Sequence, residues 1–525
     1  MAITINHQTN DISATSGSIT IDGSSAGGLT GITDSASPNN TALGTNAADA
    51  ITTAADTVAI GYNALTNATS SPKNVAVGLF TLGNVTTGTG ANVGLGYQAG
   101  NAITTGPYNI AIGYRAMYAT SGTVTGNNNV AIGQSALNSV TSGENNFGAL
   151  LSAGTSITSG TDNLAIGANA LDALTTGNHN IALGKQSGTN LTNPTGNVGV
   201  GSYSLQDATT SPYNVALGYY SLADVTTGSN NVGIGQDTAG RLGAALTGDN
   251  NIAIGDTALA DATSAANNIA IGFTAGENIT TGIRNVAIGS YSLGAITNDN
   301  DSTAVGYNVL AAATDNRNTA VGAFAGGLKV GGSQNVYMGY YAGRSSTGAN
   351  GQTLIGYESG SSSTGSNNTF VGYQTGQAVT GTNNSLLGYS ANASSNTANN
   401  EITLGNSSIA TLRCQVTSIT AISDARDKTD VAPLQAGLDF VERLDPVSFT
   451  WNMRDGGKVG VPDTGFIAQE LQQVQDDTGV TIPGLVFDEN PERLEAAYGK
   501  LVPVLVKAIQ ELSAKVDELE SQLNA

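Results

Sequence analysis

The sequence predicts an all-β repeat solenoid, a β-roll or β-helix of about 17 residues per coil. A small α/β or mainly α domain ending in a coiled-coil helix is expected to follow it. Three observations carry this reading. A short motif recurs through most of the 525 residues. Glycine is abundant (69 residues) while charged (11%) and aromatic (5%) side chains are scarce, yet 39% of the chain is hydrophobic. After Ser423 the composition changes abruptly, and the last stretch carries an apolar seam at helical spacing.

The repeat comes first, because self-similarity decides the architecture. "TVAIGYNAL", "NIAIGYRAM", "NVAIGQSAL" and "NLAIGANAL" are copies of one unit, the last three followed by a turn with Thr and Gly. Its glycine recurs at Gly44, Gly61, Gly78, Gly96, Gly113 and Gly133, and from Gly167 on to Gly405. A degenerate copy, "NNFGALLSAG", fills the gap between Gly133 and Gly167. Roughly 22 copies result. "VAIG" alternates large and small residues, a strand signal. Four or five residues make no independent strand, so coils of two short strands each must stack on one another. The Val, Ile and Leu positions are expected to form internal ladders, with Ala and Gly leaving room for a thin section or a neighbouring chain. Asn stands four residues before the glycine in most copies (Asn74, Asn109, Asn163, Asn214, Asn268, Asn285). Stacked amides can hydrogen-bond along the axis. At one strand spacing per coil the stack would be on the order of 100 Å long. So thin a coil buries little core, which suggests three chains sharing one.

The solenoid is placed at 41–405. Residues 1–40 lack the repeat and alternate in strand fashion ("ITINHQTNDISATSGSITIDG"), which fits an attachment or capping segment. Residues 406–422 read as a connector and 423–525 as a separate domain.

The "NVAIG" units resemble the head repeats of trimeric autotransporter adhesins, which build a β-roll of three chains side by side. The longer pattern also resembles repeats of phage tail-fibre and appendage proteins. The N-terminus shows neither a basic region nor an apolar run, so no secretory signal is expected. Without a signal or a membrane barrel, a self-exporting adhesin is disfavoured. Tyr97, Tyr114, Tyr219, Tyr220, Tyr340 and Tyr341 are candidates for stacking on sugars or for covering neighbouring coils.

Five ionised side chains crowd into Asp424 to Asp430, and the only Trp, Trp451, lies beyond. "PLQAGLDFVERLDPVSFTW" reads as helix then strand, and "TGFIAQELQQVQ" as a second helix entry. Leu505, Ile509, Leu512, Val516, Leu519 and Leu523 are spaced four, three, four, three, four, an a/d seam flanked by charge. The seam favours self-association as a homotrimer.

Four ordered blocks, "SDARDKTD", "LDFVERLDPVSFTW", "TGFIAQEL" and "YGKLVPVLVKAIQEL", resemble the endosialidase-type intramolecular chaperone of phage tailspikes and fibres. That resemblance implies a trimerising domain that aligns fibre chains and then cuts itself free before the serine of the first block. Here it implies Ser423 as nucleophile, Lys428 as base and Ile422–Ser423 as the scissile bond. A serine hydroxyl needs such a base. Lysine can serve when burial or nearby positive charge favours its neutral form. Arg426 would favour that form and Asp424 would oppose it, and the residues alone leave the balance open. Ser423 and Asp424 could instead form a turn or helix cap, with Lys428 solvated.

The expected function is a homotrimeric structural virion fibre for host attachment, made in the host cytoplasm. It would join a phage tail or baseplate protein through its N-terminus and meet a host glycan or protein receptor. Any peptidase activity is expected in cis only. A bacterial or other non-viral surface fibre using the same module is the alternative. A glycan-cleaving enzyme is disfavoured, because the repeats hold no carboxylate cluster. The net charge of −21 argues against nucleic-acid binding. No run of apolar residues suggests membrane insertion. No P-loop, dinucleotide or Cys/His metal pattern appears, so no cofactor or metal is expected. Asp249, Asp299 and Asp301 could bind an ion at a coil edge but read rather as solvated turn residues. The lone Cys414 excludes an intrachain disulfide.

Overall fold

The computed structural model describes residues 3–6, 11–14, 20–23 and 26–30 as backbone. It also describes 39–409 apart from 121, 241, 242 and 244, then 412–413, and 423–525 apart from 455–457 and 489. Much of 1–40 and most of the connector, Cys414 and Ile422 included, lie outside the described residues. The chain divides into two compact units, Met1–Tyr337 and Met338–Ala525.

The first unit opens with two antiparallel hairpins, Ile3–Asn6 with Asp11–Ala14 and Thr20–Gly23 with Ala26–Thr30. From Thr41–Leu43 onward each coil supplies one three-residue strand. Successive strands pair in parallel and in register, Thr41 with Val58, Val58 with Val75, and so on to Thr303 with Thr319. In the second unit, Thr353–Ile355, Thr369–Val371, Ser385–Leu387 and Ile402–Leu404 pair the same way. Among the described residues twenty-two such strands occur between Thr41 and Leu404. The architecture is the expected parallel β-solenoid.

Two details differ from expectation. Among the described residues each coil holds one strand rather than two. The other side is built of turns, with only isolated parallel bridges such as Ile103 with Val124 and Val225 with Leu246. The strand also faces the other way. Ala59, Ala76, Ala111 and Ala131, at strand centres, are fully buried, while the flanking Val and Ile are half-buried or exposed. A three-residue strand turns one side chain inward and two outward. The interior is already filled from the turns by Leu65, Leu82, Leu137, Ile157 and Leu171, all fully buried. Only a small residue fits opposite them. At Gly94 even a Cβ would come within 2.9 Å of Leu82 Cγ. The second unit exchanges the volumes. Phe370 and Leu354 are fully buried at strand centres, and the turns below them carry Gly376 and Gly360. A Cβ at Gly376 would lie 2.5 Å from the Phe370 ring, and one at Gly360 would lie 2.6 Å from Leu354.

The motif glycine is needed for two reasons. Gly184 has φ +143, and a Cβ there would stand 2.5 Å from Gly201 O in the next coil. The degenerate copy places Leu150 at this site, which adopts φ +84 and leaves its side chain 57% exposed. Turn leucines such as Leu65 (φ +51) and Leu82 (φ +49) also sit in the left-handed region. That costs about 1–3 kcal/mol each, and their complete burial offsets it.

The asparagine ladder is the polar counterpart of this core. Asn163 is buried. Its Oδ1 accepts the backbone N–H of Asn180 at 3.0 Å and the Asn180 amide at 3.0 Å. Its Nδ2 donates to Asn146 Oδ1 at 3.0 Å and to Gly177 O at 2.8 Å. One side chain thus satisfies a strand amide of one neighbouring coil and a turn carbonyl. The pattern recurs at Asn129, Asn146, Asn180, Asn251 and Asn268.

Within the second unit, residues 423–525 form a module with its own core of Ala436, Phe440, Leu471, Val474, Ile482, Leu485, Leu501 and Val504. Its helices are α1 (Leu438–Glu442), α2 (Ala468–Thr478) and α3 (Leu501–Leu523), with an antiparallel hairpin of Val447–Asn452 and Val459–Gly465 between α1 and α2.

Asn163→Ala should leave the Asn180 N–H and the Gly177 carbonyl buried without partners. A loss of about 1–3 kcal/mol for each is expected. Denaturant unfolding should show it, together with faster hydrogen exchange at the Asn180 amide.

Candidate functional site

The module begins at the charged stretch, and a single turn of 3-10 helix, Ala425–Asp427, shapes it. Asp424 caps this turn, its Oδ1 accepting the Arg426 N–H at 2.9 Å. The Lys428 N–H closes it on Ala425 O at 3.3 Å. Folding back one turn brings together residues five apart. Lys428 Nζ lies 2.5 Å from Ser423 Oγ and donates to Ser423 O at 3.2 Å. The two residues named from sequence as nucleophile and base are in hydrogen-bond contact.

The question of which neighbour acts on Lys428 has a geometric answer. The Asp424 carboxylate is engaged by Arg426, with Nη2 to Oδ2 at 2.6 Å and Nε to Oδ1 at 3.0 Å. The Arg426 side chain, and then its backbone N–H, holds the Asp424 carboxyl below the usual carboxylate range. The two charges face each other, and among the described contacts neither reaches Lys428. Ser423 and Lys428 are both exposed in the single chain. A base in this position removes the hydroxyl proton only as the neutral amine, which burial favours. The partner in the proposed cut, Ile422, lies outside the described residues.

The remaining blocks build the scaffold. "LDFVERLDPVSFTW" forms α1 and the first hairpin strand, and "TGFIAQEL" runs from the second strand into α2. Trp451 Nε1 donates to Asp463 Oδ2 at 3.0 Å across the hairpin, and Lys458 lies 4.7 Å over the indole. Tyr498 Oη donates to Phe466 O at 2.8 Å. One contact escaped sequence reading. Glu511 on α3 accepts the Leu438 N–H at 2.7 Å, capping α1 from 73 residues away. Gly437 is required beside it, since a Cβ there would collide with the Glu511 carboxylate. The Leu438 amide, and then Lys507 at 3.2 Å, holds the Glu511 carboxyl below its ordinary value. A glycine before a helix was the sole signal in the sequence.

α3 has two apolar faces. Leu501, Val504 and Ala508 are buried in the module core. The seam residues Leu505, Ile509, Leu512, Val516, Leu519 and Leu523 are exposed, from 43% at Leu505 to 89% at Leu523.

The candidate sugar-stacking tyrosines pack against other rings, Tyr219 and Tyr220 edge to face at 81° and Tyr340 and Tyr341 tilted at 45°. Tyr97 and Tyr114 stack at 5.3 Å and 11°. Tyr340, Tyr357, Tyr373 and Tyr389 form a column with centroids 4.9–5.5 Å apart. Interior rings of such a column present edges and hydroxyls outward. Among the described residues no helix is long and apolar enough to cross a membrane.

Comparison with known proteins bears on the same boundary. The family model described as chaperone of endosialidase matches residues 423–480, beginning at Ser423. The block in α3 lies beyond the matched residues. The chain is similar to the long tail fiber protein Gp37 of Enterobacteria phage K3, 32% identical over 105 residues. The same protein of Enterobacteria phage T2 also matches at 32% over 105 residues. These matches cover 19% of this chain and only 8% and 7% of the two relatives, so the chain spans less than a tenth of their length. No solved structure matches.

The lowered Glu511 carboxyl sets a pH dependence. A depressed folded-state value gives stability that is present above the ordinary glutamate range and lost as pH falls through the folded value. Glu511→Gln should therefore melt below the parent module at neutral pH. The two melting curves should converge as the solution is acidified below the ordinary glutamate range.

Proposed function

We propose that this chain is a structural fibre subunit of a virion, a host-attachment fibre. In this reading residues 423–525 assemble it as a homotrimer and then release themselves by cutting Ile422–Ser423. The observation that carries the proposal is the coincidence at Ser423. The chaperone family match starts there, the composition changes there, and Ser423 Oγ lies 2.5 Å from Lys428 Nζ. The similarity to long tail fibre proteins supports the fibre and virion assignment. The exposed seam of α3 and the outward Val and Ile of the coils supply apolar surface for two further copies.

The chemistry is an acyl shift followed by hydrolysis. Lys428 takes the Ser423 hydroxyl proton as Oγ adds to the Ile422 carbonyl carbon. The Ile422–Ser423 C–N bond breaks, and Lys428 returns the proton to the departing amine. Water then hydrolyses the Ile422 ester, regenerating the serine hydroxyl. With Arg426 absorbed by Asp424, the neutral form of Lys428 must come from burial, and assembly of three modules provides it. Cutting is thereby conditional on assembly. No external substrate is involved. The N-terminus joins a phage tail or baseplate protein, and the receptor is a host glycan or protein.

Ser423→Ala should abolish release, and Lys428→Ala should slow it by about 10²–10⁴-fold. Both should yield full-length chains on a denaturing gel. Maturation of both variants to the shorter product would refute the pair. Leu512→Glu should prevent trimers, leaving single chains by light scattering. Trimers of normal mass from that variant would remove α3 from the assembly interface.

A further inference from the structure

Two departures from the repeat meet at one point of the first unit. The interior column that holds Ile279, Ile296 and Ala313, each 1% exposed, next holds Lys329, which is fully buried. The turn position three residues before the ladder residue is glycine at Gly282 and Gly332, but Asp299 and Asp315 between them. Asp299 is 7% exposed, so it is not the solvated turn residue that its sequence context suggested. Lys329 Nζ lies 4.0 Å from Asp315 Oδ2 and donates to the carbonyls of Gly331 and Gly332. Burial pushes the Asp299 carboxyl up to about 6, the Asp315 charge adds to this, and Lys329 partly offsets it. Burial pulls the Lys329 ammonium below its ordinary value against both carboxylates. A buried amine thus has a partly exposed carboxylate 4.0 Å away and a second, buried carboxyl close enough for their charges to interact.

We propose that Lys329 and Asp315 become joined by an isopeptide bond that the folded chain forms itself, with Asp299 as proton relay. The ammonium passes a proton to the Asp299 carboxylate, and the neutral Nζ adds to Cγ of Asp315. Asp299 returns that proton to Oδ2. A second proton from nitrogen follows by the same route, and the Cγ–Oδ2 bond breaks. The Nζ–Cγ bond remains, two ammonium protons leave with Oδ2 as one water, and Asp299 ends unchanged. No oxidant or cofactor is consumed. Two effects drive the reaction. Fixing amine and carboxyl side by side makes it effectively unimolecular. Replacing the buried ammonium by a neutral amide removes the cost of keeping that charge out of water. The product staples one turn of the stack to the interior of the next coil.

Peptide mass mapping of the folded, unaltered chain tests this. Trypsin cuts after Arg284, Arg317, Lys329 and Arg344. The proposal expects residues 285–317 joined to residues 318–344, uncut after Lys329 and lighter than the sum by one water. Lys329→Arg should restore the linear 285–317 peptide. Asp299→Asn should slow bond formation by about 10²-fold or more. Linear 285–317 and 318–329 peptides from natively folded protein would overturn the proposal. An unslowed Asp299→Asn variant would remove Asp299 from the relay. Neither result depends on the cut at Ser423.

Discussion

Everything in the solenoid depends on one constraint: a three-residue strand draws its backbone hydrogen bonds from the coils beside it, as do many of the turn residues. The chain answers with backbone pairs such as Val58 N–H to Asn74 O and Gly61 N–H to Leu43 O. Where the strand begins, a buried asparagine closes the remaining gap from its own side chain. The choice of Asn follows, because only a short side chain with both donor and acceptor can serve two coils and a turn at once. Gly at the motif position and Ala at the strand centre are then what the close stack leaves room for.

The same uniformity creates a difficulty for assembly. Copies that differ so little can pair with another chain one coil out of register at small cost. Non-local pairing of this kind is slow and exposed to aggregation. In the proposed trimer the distinct, charged module removes the ambiguity, because its core and helix α3 lie outside the repeat. If it is cut away after alignment, as proposed, the remaining fibre cannot retrace its folding route, and its durability becomes kinetic. The proposed Lys329–Asp315 bond would act in the same direction within a single chain.

Much of this was legible in the sequence. Period, glycine column and asparagine ladder follow from a motif repeated often enough to expose its invariants. Ser423 and Lys428 were picked out by a local block whose weight came from blocks downstream. What escaped reading was whatever depends on the coil's cross-section or on distant pairs. Period-two alternation tells that Val58 and Ala59 face opposite ways, not which face is inside. That is decided by Leu65 and its equivalents filling the interior from the turn. Glu511 capping α1 joins residues 73 apart, and no periodicity marks it. Lys329 hid because its column is visible only once the coils are stacked.

In the proposed function three chains are aligned by a module that then leaves. Native mass spectrometry of the purified, unaltered protein tests it most directly. The expected particle holds three chains, each ending at Ile422 and lacking residues 423–525. A particle with the mass of one chain, or a trimer still carrying residues 423–525, would contradict it.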